Sequence, residues 1–300
     1  MSVLLQNIKN TESIKILTMK EEKNNNRYTR LKAIKEFGYN IEWDDLKTYH
    51  VGIIGVGGLG TVSSEMAVRC GIGELTLIDF DTVDIVNLNR LMFREEHIGK
   101  SKVKVVNEIL KKINNDVKIN YFQQDIMDIE FESKFITEIR KMDIILNGLD
   151  NIPAREYLNA KCVHNEITYI DSGASRSGLS GYVHPIIPNK TACAQCLSSI
   201  GLDLPNERGE PCVASLPSTL AILASVQIQE MLKILLNFGK TIDYLMYDMI
   251  QGKFLSYKTK RDPKCSICGD KSYKTKSRFG TQISKKDLDQ FIDKTKKESD

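Results

Sequence analysis

Long apolar runs and a strong charge of one sign are both missing from this 300-residue sequence. No stretch reaches the roughly eighteen consecutive apolar residues of a membrane-spanning helix. The most apolar segment, residues 216–238, is interrupted by Gln227, Glu230 and Lys233. The net charge of +3 is too small to indicate a nucleic acid partner. We therefore expect neither a membrane nor a nucleic acid as partner.

An even set of cysteines of the kind that indicates a disulfide framework is also missing. The chain has seven cysteines, and its N-terminus lacks the apolar core and cleavage site of a secretory signal. An odd cysteine count without such a signal predicts a reducing compartment, in which thiols bind metals or take part in catalysis. We expect the protein to be cytoplasmic.

The strongest local pattern spans residues 50–79. An apolar run at residues 51–54 predicts a buried strand, and four glycines follow it within six residues, Gly55, Gly57, Gly58 and Gly60. A helical pattern comes next, and then a second strand at residues 75–78 that ends at Asp79. This succession of strand, glycine turn, helix, strand and acid is typical of nucleotide-binding α/β folds.

Each part of that pattern has a physical reason. Glycine allows the backbone to approach a phosphate closely, and the first turn of the following helix directs unpaired N–H groups at the anion. A carboxylate at Asp79 can accept hydrogen bonds from ribose hydroxyls. The pattern predicts a nucleotide but does not choose between NAD, FAD and ATP.

Helices and strands continue to alternate along the rest of the chain. We predict helical structure in residues 27–47 and further helices at residues 100–113, 131–142, 153–165 and 217–238. We predict strands at residues 117–122, 143–147 and 168–172, an exposed strand at residues 178–187, and a terminal hairpin at residues 244–257. This order predicts an α/β fold with a Rossmann-like, doubly wound sheet.

Two CxxC pairs stand 68 residues apart, Cys193 with Cys196 and Cys265 with Cys268. Two such pairs in a chain without a secretion signal are typical of a tetrahedral Zn(Cys)₄ site. Four protein ligands leave no open position on the metal, so we interpret the zinc as structural. The alternatives are a redox CxxC or unrelated thiols.

Three cysteines remain outside these pairs. Cys212 lies just before the helix predicted from Pro217, where the helix dipole would stabilise a thiolate and make it a better nucleophile. The alternative is a small buried residue, the usual fate of a free cysteine. Cys70 and Cys162 are predicted to be core residues.

Four charged residues near predicted strand ends and helix starts are candidates for the nucleotide site: Arg90, Lys102, Asp150 and Arg155. Lys102 begins a helix and can reach a phosphate, although it is equally compatible with a solvated helix position. Asp150 follows a buried strand, where a carboxylate can hold Mg²⁺ between phosphate oxygens. It could equally cap the helix that begins near Pro153.

Several short motifs together resemble those of the ubiquitin-like modifier-activating enzymes, a family with the ThiF-type adenylation fold that includes bacterial adenylyltransferases of sulfur-carrier proteins. The motifs are Gly55-Val-Gly-Gly-Leu-Gly60, Asp79-Phe-Asp81, Asn87-Leu-Asn-Arg90, Gly99-Lys-Ser-Lys102, Leu149-Asp-Asn151 and the two CxxC pairs. The segments Arg69-Cys-Gly-Ile-Gly73, Pro211-Cys-Val-Ala-Ser-Leu-Pro-Ser-Thr219 and Leu232-Lys-Ile-Leu-Leu-Asn-Phe-Gly239 are similar to the branch that activates a ubiquitin-fold modifier. The resemblance covers about residues 43–269.

The resemblance implies ATP rather than NAD. The enzyme would adenylate the C-terminal glycine of a ubiquitin-fold modifier protein, form a thioester and pass the modifier to a conjugating enzyme. It also implies an extension over residues 1–42, an adenylation domain over residues 43–270 with the cysteine segment and zinc knuckles embedded in it, and a lysine-rich tail over residues 271–300. A homodimer is expected, with ATP, Mg²⁺ and Zn²⁺ as cofactors.

The resemblance also implies a role for each matching residue. Cys212 would be the thioester nucleophile, and Arg90 would stabilise charge on the phosphates. The nucleotide would be bound by Gly55, Gly57, Gly58, Gly60, Asp79, Asn89, Arg90, Lys102, Asp125, Asp150 and Asn151. The zinc ligands would be Cys193, Cys196, Cys265 and Cys268. The chain departs from the branch at Asp125, where the branch has asparagine, and in a short segment between Cys196 and Cys212.

Three other functions are compatible with parts of this pattern. A sulfur-carrier adenylyltransferase would share the nucleotide and zinc sites but would not form the thioester. A dinucleotide-dependent oxidoreductase would explain the glycine turn but not the CxxC pairs or the Asn87–Arg90 motif. An idle partner subunit would have no use for the full set of charged and thiol residues.

Overall fold

The computed structural model describes residues 25–198 and 215–270 of the chain. The described residues divide into two compact units, of which the first ends at residue 43 and the second begins at residue 44. In the first unit, helix α1 (Thr29–Lys32) continues into a 3₁₀ helix (Ala33–Phe37), which ends at Gly38 in the left-handed conformation (φ 85°). A further 3₁₀ helix covers Trp43–Thr48. The helical structure predicted for residues 27–47 is therefore present only as short turns.

The second unit is built on one sheet of eight strands. The strands are β1 (His50–Ile54), β2 (Glu74–Ile78), β3 (Lys118–Phe122), β4 (Ile144–Asn147), β5 (Tyr169–Ala174), β6 (Ser180–Ile186), β7 (Tyr244–Asp248) and β8 (Lys253–Tyr257). Their order in space is β3-β2-β1-β4-β5-β6-β7-β8. The first five are parallel to one another, whereas β6, β7 and β8 pair in antiparallel fashion. The predicted Rossmann-like sheet is thus confirmed, with an antiparallel extension.

Six helices accompany this sheet within the described residues. They are α2 (Gly58–Cys70), α3 (Lys102–Ile113), α4 (Ile129–Ile139), α5 (Ile152–His164), the short α6 (Ala194–Ser198) and α7 (Pro217–Leu235), with 3₁₀ turns at Ile85–Asn87 and Glu95–His97. Capping residues account for the end of α2 and the start of α5. Gly71 adopts a left-handed conformation after α2, and Asn151 caps α5 with Pro in its first turn.

Both faces of the sheet are covered, because successive side chains of a buried strand point to opposite sides. On one side, Ile53 lies beside Gly60 of α2, and α2 packs in turn against α7. On the other side, Ile54 joins a cluster with Phe135 of α4 and Leu158 of α5. Helices on both faces make the sheet doubly wound.

The prediction that residues 178–187 form an exposed strand is wrong in one respect. The strand is present as β6, but all of its residues from Gly181 to Ile186 are buried. It lies between β5 and β7, and α7 packs across it. The sequence of this segment could not indicate its burial, because the helix that covers it begins more than thirty residues later along the chain.

Helix α7 satisfies the length and mean hydropathy of a membrane span, and it is the one helix in the described ranges that does. Half of that apolar window is buried inside the protein. Its packing against α2, β5 and β6, and the burial of Gln227 and Glu230 on it, are the properties of a core helix.

Candidate functional site

A cleft lies at the carboxyl ends of the central parallel strands, where β1 and β4 are neighbours and the chain winds in opposite directions. Its walls include Gly57, Gly58, Arg90, Lys102, Asp150 and Arg155. Ligands of doubly wound folds bind at this switch point, outside the strand ends. The structure therefore brings together residues that are far apart in the sequence and were predicted to share one site.

Two glycines of the turn after β1 are required by the fold itself. Gly55 has a φ of 87°, and a Cβ atom there would lie 2.7 Å from the backbone carbon of Gly148. A Cβ atom on Gly60 would lie 1.9 Å from the carbonyl oxygen of Gly55. A side chain at Gly55 would push against the turn after β4, and one at Gly60 would push α2 away from the glycine turn. These glycines therefore allow backbone to pack directly on backbone.

Gly57 has a different environment. It is the N-cap of α2 and provides no side-chain cap. Apart from its own neighbours along the chain, no heavy atom of the described residues lies within 4 Å of the Cβ position that it leaves open. The first N–H groups of a helix have no intrahelical partner, and the helix dipole makes this end positive. The open space at Gly57 therefore suits an anion that approaches the start of α2.

Asp79 joins the end of β2 to the glycine turn. One carboxylate oxygen accepts a hydrogen bond from the Val56 N–H at 2.7 Å and the other from the Asp81 N–H at 2.8 Å. Burial raises the pKa of Asp79, and the nearby Lys102 ammonium opposes that rise. A carboxylate held in this way still has lone pairs that can accept from ribose hydroxyls, and the role of Asp79 in ribose binding stays a prediction.

Lys102 and Arg90 bring positive charge to the cleft from two directions. Lys102 is buried, with 8% of its surface exposed, and its ammonium donates to Asp81 at 2.7 Å. The interpretation of Lys102 as a solvated helix residue is therefore wrong. The Arg90 guanidinium lies against the start of α2, where a Cβ atom on Gly58 would be 3.0 Å from Nη1.

The helix cap at the start of α5 separates two candidate residues. Asn151, not Asp150, caps this helix, and its side-chain oxygen accepts from the Ala154 N–H at 2.9 Å. The alternative role of Asp150 as a cap is therefore wrong. Asp150 is exposed and lines the cleft, where its carboxylate is placed to meet a cation.

Two residues predicted to contact the nucleotide, Asn89 and Asp125, are not among those that line the cleft. The Asn89 amide donates to the carbonyl oxygen of Ser215 at 3.0 Å, and Asn87 rather than Asn89 lines the cleft. Asp125 follows β3 in an exposed loop and accepts from the Met127 N–H at 2.9 Å. The nucleotide-binding roles of Asn89 and Asp125 stay predictions.

A buried polar network beneath the cleft was not predicted as such. Arg155 donates through Nη1 to Asp171 at 2.8 Å and to the Tyr182 hydroxyl at 2.7 Å, and through Nη2 to the Ser172 carbonyl at 2.7 Å. The Tyr182 hydroxyl donates to the second Asp171 oxygen at 2.7 Å. Burial alone would lower the pKa of Arg155, but Tyr182 and Asp171 raise it above its ordinary value, so the guanidinium is a permanent charge.

The same network continues into α7. The Gln227 amide donates to the carbonyl oxygens of Asn147 at 3.0 Å and Ile170 at 3.1 Å, and its oxygen accepts from the Ser63 hydroxyl at 2.7 Å. Asn147 also donates to Asp171 at 2.6 Å. A glutamine in the middle of an apolar helix face is the one sequence signal of this network, since buried polar groups need partners.

The four paired cysteines form one buried cluster, as predicted. Their sulfur atoms all lie within 4.8 Å of one another. The distance is 3.9 Å between Cys193 and Cys196, 3.6 Å between Cys193 and Cys265, and 3.3 Å between Cys196 and Cys268. Four thiolates at about 2.3 Å from a tetrahedral metal would be separated by about 3.8 Å. The cluster therefore has the dimensions of a metal site.

The surroundings of the cluster favour thiolate at one position. Hydrogen bonds from the Cys193 and Cys268 thiols, together with the Asp262 N–H at 3.4 Å, lower the pKa of Cys196. The pKa of Cys193 is raised, first because it donates to Cys196 and also through burial. A divalent cation would supply the charge that allows all four thiols to ionise.

The other cysteines differ in what the structure describes. Cys162 is completely buried in the core cluster, as expected. Cys70 is only half-buried, so its prediction as a core residue is wrong in this respect. Burial raises the pKa of both thiols, which is the opposite of activation. Cys212 lies outside the described residues. Ser215, three positions after it, lines the cleft.

Comparison with known proteins identifies the group to which this architecture belongs. The model of the ThiF family matches residues 28–267. The chain is 37% identical over 254 residues to ubiquitin-like modifier-activating enzyme 5 of Dictyostelium discoideum, covering 80% of this chain and 67% of that protein. The protein of the same name from Branchiostoma floridae is 36% identical over 287 residues, covering 91% of this chain and 69% of its own length. The chain thus spans about two thirds of these relatives.

A solved structure agrees with this assignment. The crystal structure of E. coli MccB with ATP has a TM-score of 0.70 and 27% sequence identity, and the match covers 83% of this chain and 76% of that one. The relatives favour modifier activation over dinucleotide-dependent oxidation. The chain therefore belongs to the ThiF family, among the ubiquitin-like modifier-activating enzymes.

Proposed function

We propose that this enzyme adenylates the C-terminal glycine of a ubiquitin-fold modifier protein with ATP and then carries the modifier as a thioester on Cys212. The observation that supports it most strongly is the cleft, which is lined by the start of α2, Arg90 and Lys102 together with the exposed Asp150. The two cationic side chains and the helix N-terminus can bind the phosphates of a triphosphate, and the Asp150 carboxylate can bind its metal ion.

In the first step, a carboxylate oxygen of the modifier attacks the α-phosphorus of ATP. The bond from that phosphorus to the bridging oxygen breaks, and pyrophosphate leaves with the electron pair. The N–H groups at the start of α2, with Arg90 and Lys102, stabilise the charge that develops on the phosphates. Asp150 would hold Mg²⁺, which would neutralise part of the negative charge of the triphosphate. Asp79 would hold the ribose.

In the second step, the Cys212 thiolate attacks the acyl carbon of the adenylate. A carbon–sulfur bond forms, the carbon–oxygen bond to the phosphate breaks, and AMP leaves. The proton of the thiol passes to solvent. The position of Ser215 supports this assignment, because it lines the cleft and is only three residues after Cys212 in the sequence. Transfer to the thiol of a conjugating enzyme would complete the cycle.

We further propose that the cysteine cluster holds Zn²⁺ in a structural role, that the enzyme acts as a homodimer and that it works in the cytoplasm. Four buried cysteine ligands and no open position support the structural assignment. The names of the relatives support a ubiquitin-like modifier as partner, and the conjugating enzyme follows from the proposed thioester transfer.

The test combines two measurements on the full chain with a purified ubiquitin-fold modifier and Mg-ATP. We expect modifier-dependent exchange of labelled pyrophosphate into ATP, and a covalent adduct of chain and modifier that thiol reductants release. Cys212→Ser should keep the exchange and lose the reducible adduct, whereas Cys70→Ser should keep both. Exchange with no adduct in the unaltered chain would instead indicate a sulfur-carrier type of adenylyltransferase, and no exchange at all would refute the proposal.

A further inference from the structure

The three cations of the cleft lie beside different strands. Arg90 lies against Gly58, in the turn after β1. Lys102 bonds to Asp81, just beyond β2. Arg155 instead lies beside β5, where its Nη2 donates to the Ser172 carbonyl at 2.7 Å. Since the spatial order is β2-β1-β4-β5, Arg155 and Asp79 lie at strands on opposite sides of the switch point between β1 and β4.

Because of this spacing, the cations can bind different anionic groups. A nucleotide with its ribose at Asp79 and its phosphates at the start of α2 occupies the β2 and β1 side. Asp150 follows β4 and would meet the phosphates through a cation. Arg155 lies one strand further on, so it faces whatever enters from the β5 side. In an adenylation the second substrate is itself an anion, a carboxylate.

The Arg155 side chain is held in place before any ligand binds. Asp171, Tyr182 and Ser172 accept three of its N–H groups, and a guanidinium carries five. A Cβ atom on Gly173 would lie 2.5 Å from Nη2, so the glycine allows the guanidinium to lie flat on the strand. The side chain is 15% exposed and lines the cleft. Because the side chain is already held in place, little conformational entropy is lost when a ligand binds to it.

We propose that Arg155 binds the C-terminal carboxylate of the incoming protein and holds it against the α-phosphate, with Asp171 and Tyr182 as the residues that position the guanidinium. This inference rests on the proposed adenylation. Its physical reason is that a carboxylate and a polyphosphate repel each other, and a fixed guanidinium offsets this repulsion at the one place where the two anions must meet. Arginine is suited to this because its planar fork matches a carboxylate.

The test compares two forms of one ubiquitin-fold modifier, one with the free C-terminal carboxylate and one with a C-terminal carboxamide. Their dissociation constants are measured by calorimetry on the full chain loaded with a non-hydrolysable ATP analogue and Mg²⁺. The unaltered chain should bind the carboxylate form at least tenfold more tightly than the amide form. Arg155→Gln should reduce this ratio to within twofold of unity and leave the affinity for the ATP analogue within threefold.

Three further variants separate binding from folding. Arg155→Lys keeps the charge, and it should retain only part of the ratio because a lysine cannot form the fork. Tyr182→Phe should raise the KM for modifier in pyrophosphate exchange about threefold and leave the KM for ATP unchanged. Arg140→Gln is the matched control and should change nothing, because this arginine is the C-cap of α4 and bonds to Asn165.

An unchanged ratio in Arg155→Gln would overturn the proposal, and so would an equal loss of affinity for the nucleotide and for both modifier forms in the Arg155 variants. Modifier-dependent exchange in the unaltered chain keeps these outcomes distinct from a failure of the proposed function. If the unaltered chain shows no exchange, the proposed function fails first.

Discussion

The cysteine cluster and the cleft are both assembled from remote parts of the chain, but they are built in opposite ways. The cluster is closed, because four buried sulfur atoms lie within 4.8 Å of one another and surround a single point. The cleft is open, because the Cβ side of Gly57 is empty and Asp150 is exposed. A closed set of ligands stabilises a fold, whereas an open set of charges binds and transforms a substrate.

The cleft and the cluster also lie beside different parts of the sheet. The cleft lies at the ends of parallel strands, which all point their carboxyl ends to one edge. The cluster joins the segment after β6 to the segment after β8, so it closes the antiparallel extension. The comparison predicts that changes in the cluster act on stability and metal content, and that changes in the cleft act on the reaction.

The largest effect is expected from Cys265→Ser. Removing one of four thiolate ligands should reduce the bound zinc from one ion per chain to nearly none, and the free energy of unfolding should fall by several kcal/mol. Metal analysis and urea unfolding measure the two quantities, with Cys70→Ser as the control. Full stability together with lost metal would show that the cluster is not structural.

A large effect on the reaction alone is expected from Asp150→Asn. Without the carboxylate, the metal-bound phosphates lose an anchor, and pyrophosphate exchange should fall about 10²-fold or more, a barrier change of about 3 kcal/mol. Stability should change by less than about 0.5 kcal/mol because the side chain is exposed. Asp116→Asn, just before β3 at the opposite edge of the sheet, is the control. A parallel loss of stability would break the distinction between the two regions.

An intermediate effect should separate two glycines of one turn. Gly60→Ala would place a Cβ atom 1.9 Å from the Gly55 oxygen, so we expect a destabilised fold, by about 1–3 kcal/mol or more. Gly57→Ala meets no atom of the described chain within 4 Å, so it should fold normally and bind ATP at least tenfold more weakly. Thermal unfolding and nucleotide titration of the two variants measure this. Normal ATP affinity in Gly57→Ala would refute the anion site at the start of α2.

The smallest effect concerns Tyr169 of β5, whose hydroxyl donates to Asn159 at 2.6 Å. Burial raises its pKa well above the usual value. The native state therefore retains this proton longer than the unfolded state, and the associated stability is present below about pH 10 and is lost as pH rises further. In urea unfolding between pH 9 and 11, Tyr169→Phe should show a shallower fall than the unaltered chain. Tyr121→Phe, at an exposed tyrosine, is the control. If the free energy of unfolding falls equally steeply with pH in the unaltered chain and in both variants, the raised pKa of Tyr169 is contradicted.

The local elements were predictable because their signals are short. Apolar runs, the glycine turn and helix caps lie within a few residues of what they control, so β1, α2 and β2 appear close to their predicted positions. The two CxxC pairs are equally local, and the chemistry of four thiolates requires them to meet. The burial of β6 was not predictable, because it depends on α7.

The sequence by itself determined the alternation of helices and strands, the glycine turn with Asp79, and the two cysteine pairs. Only the tertiary structure decided that Lys102 is buried beside Asp81 and that Arg155 is held by Asp171 and Tyr182. The physical reason is that these are contacts between different strands and helices. A side chain at a strand end has its partners chosen by the order of strands in the sheet, and that order is set by packing of the whole chain.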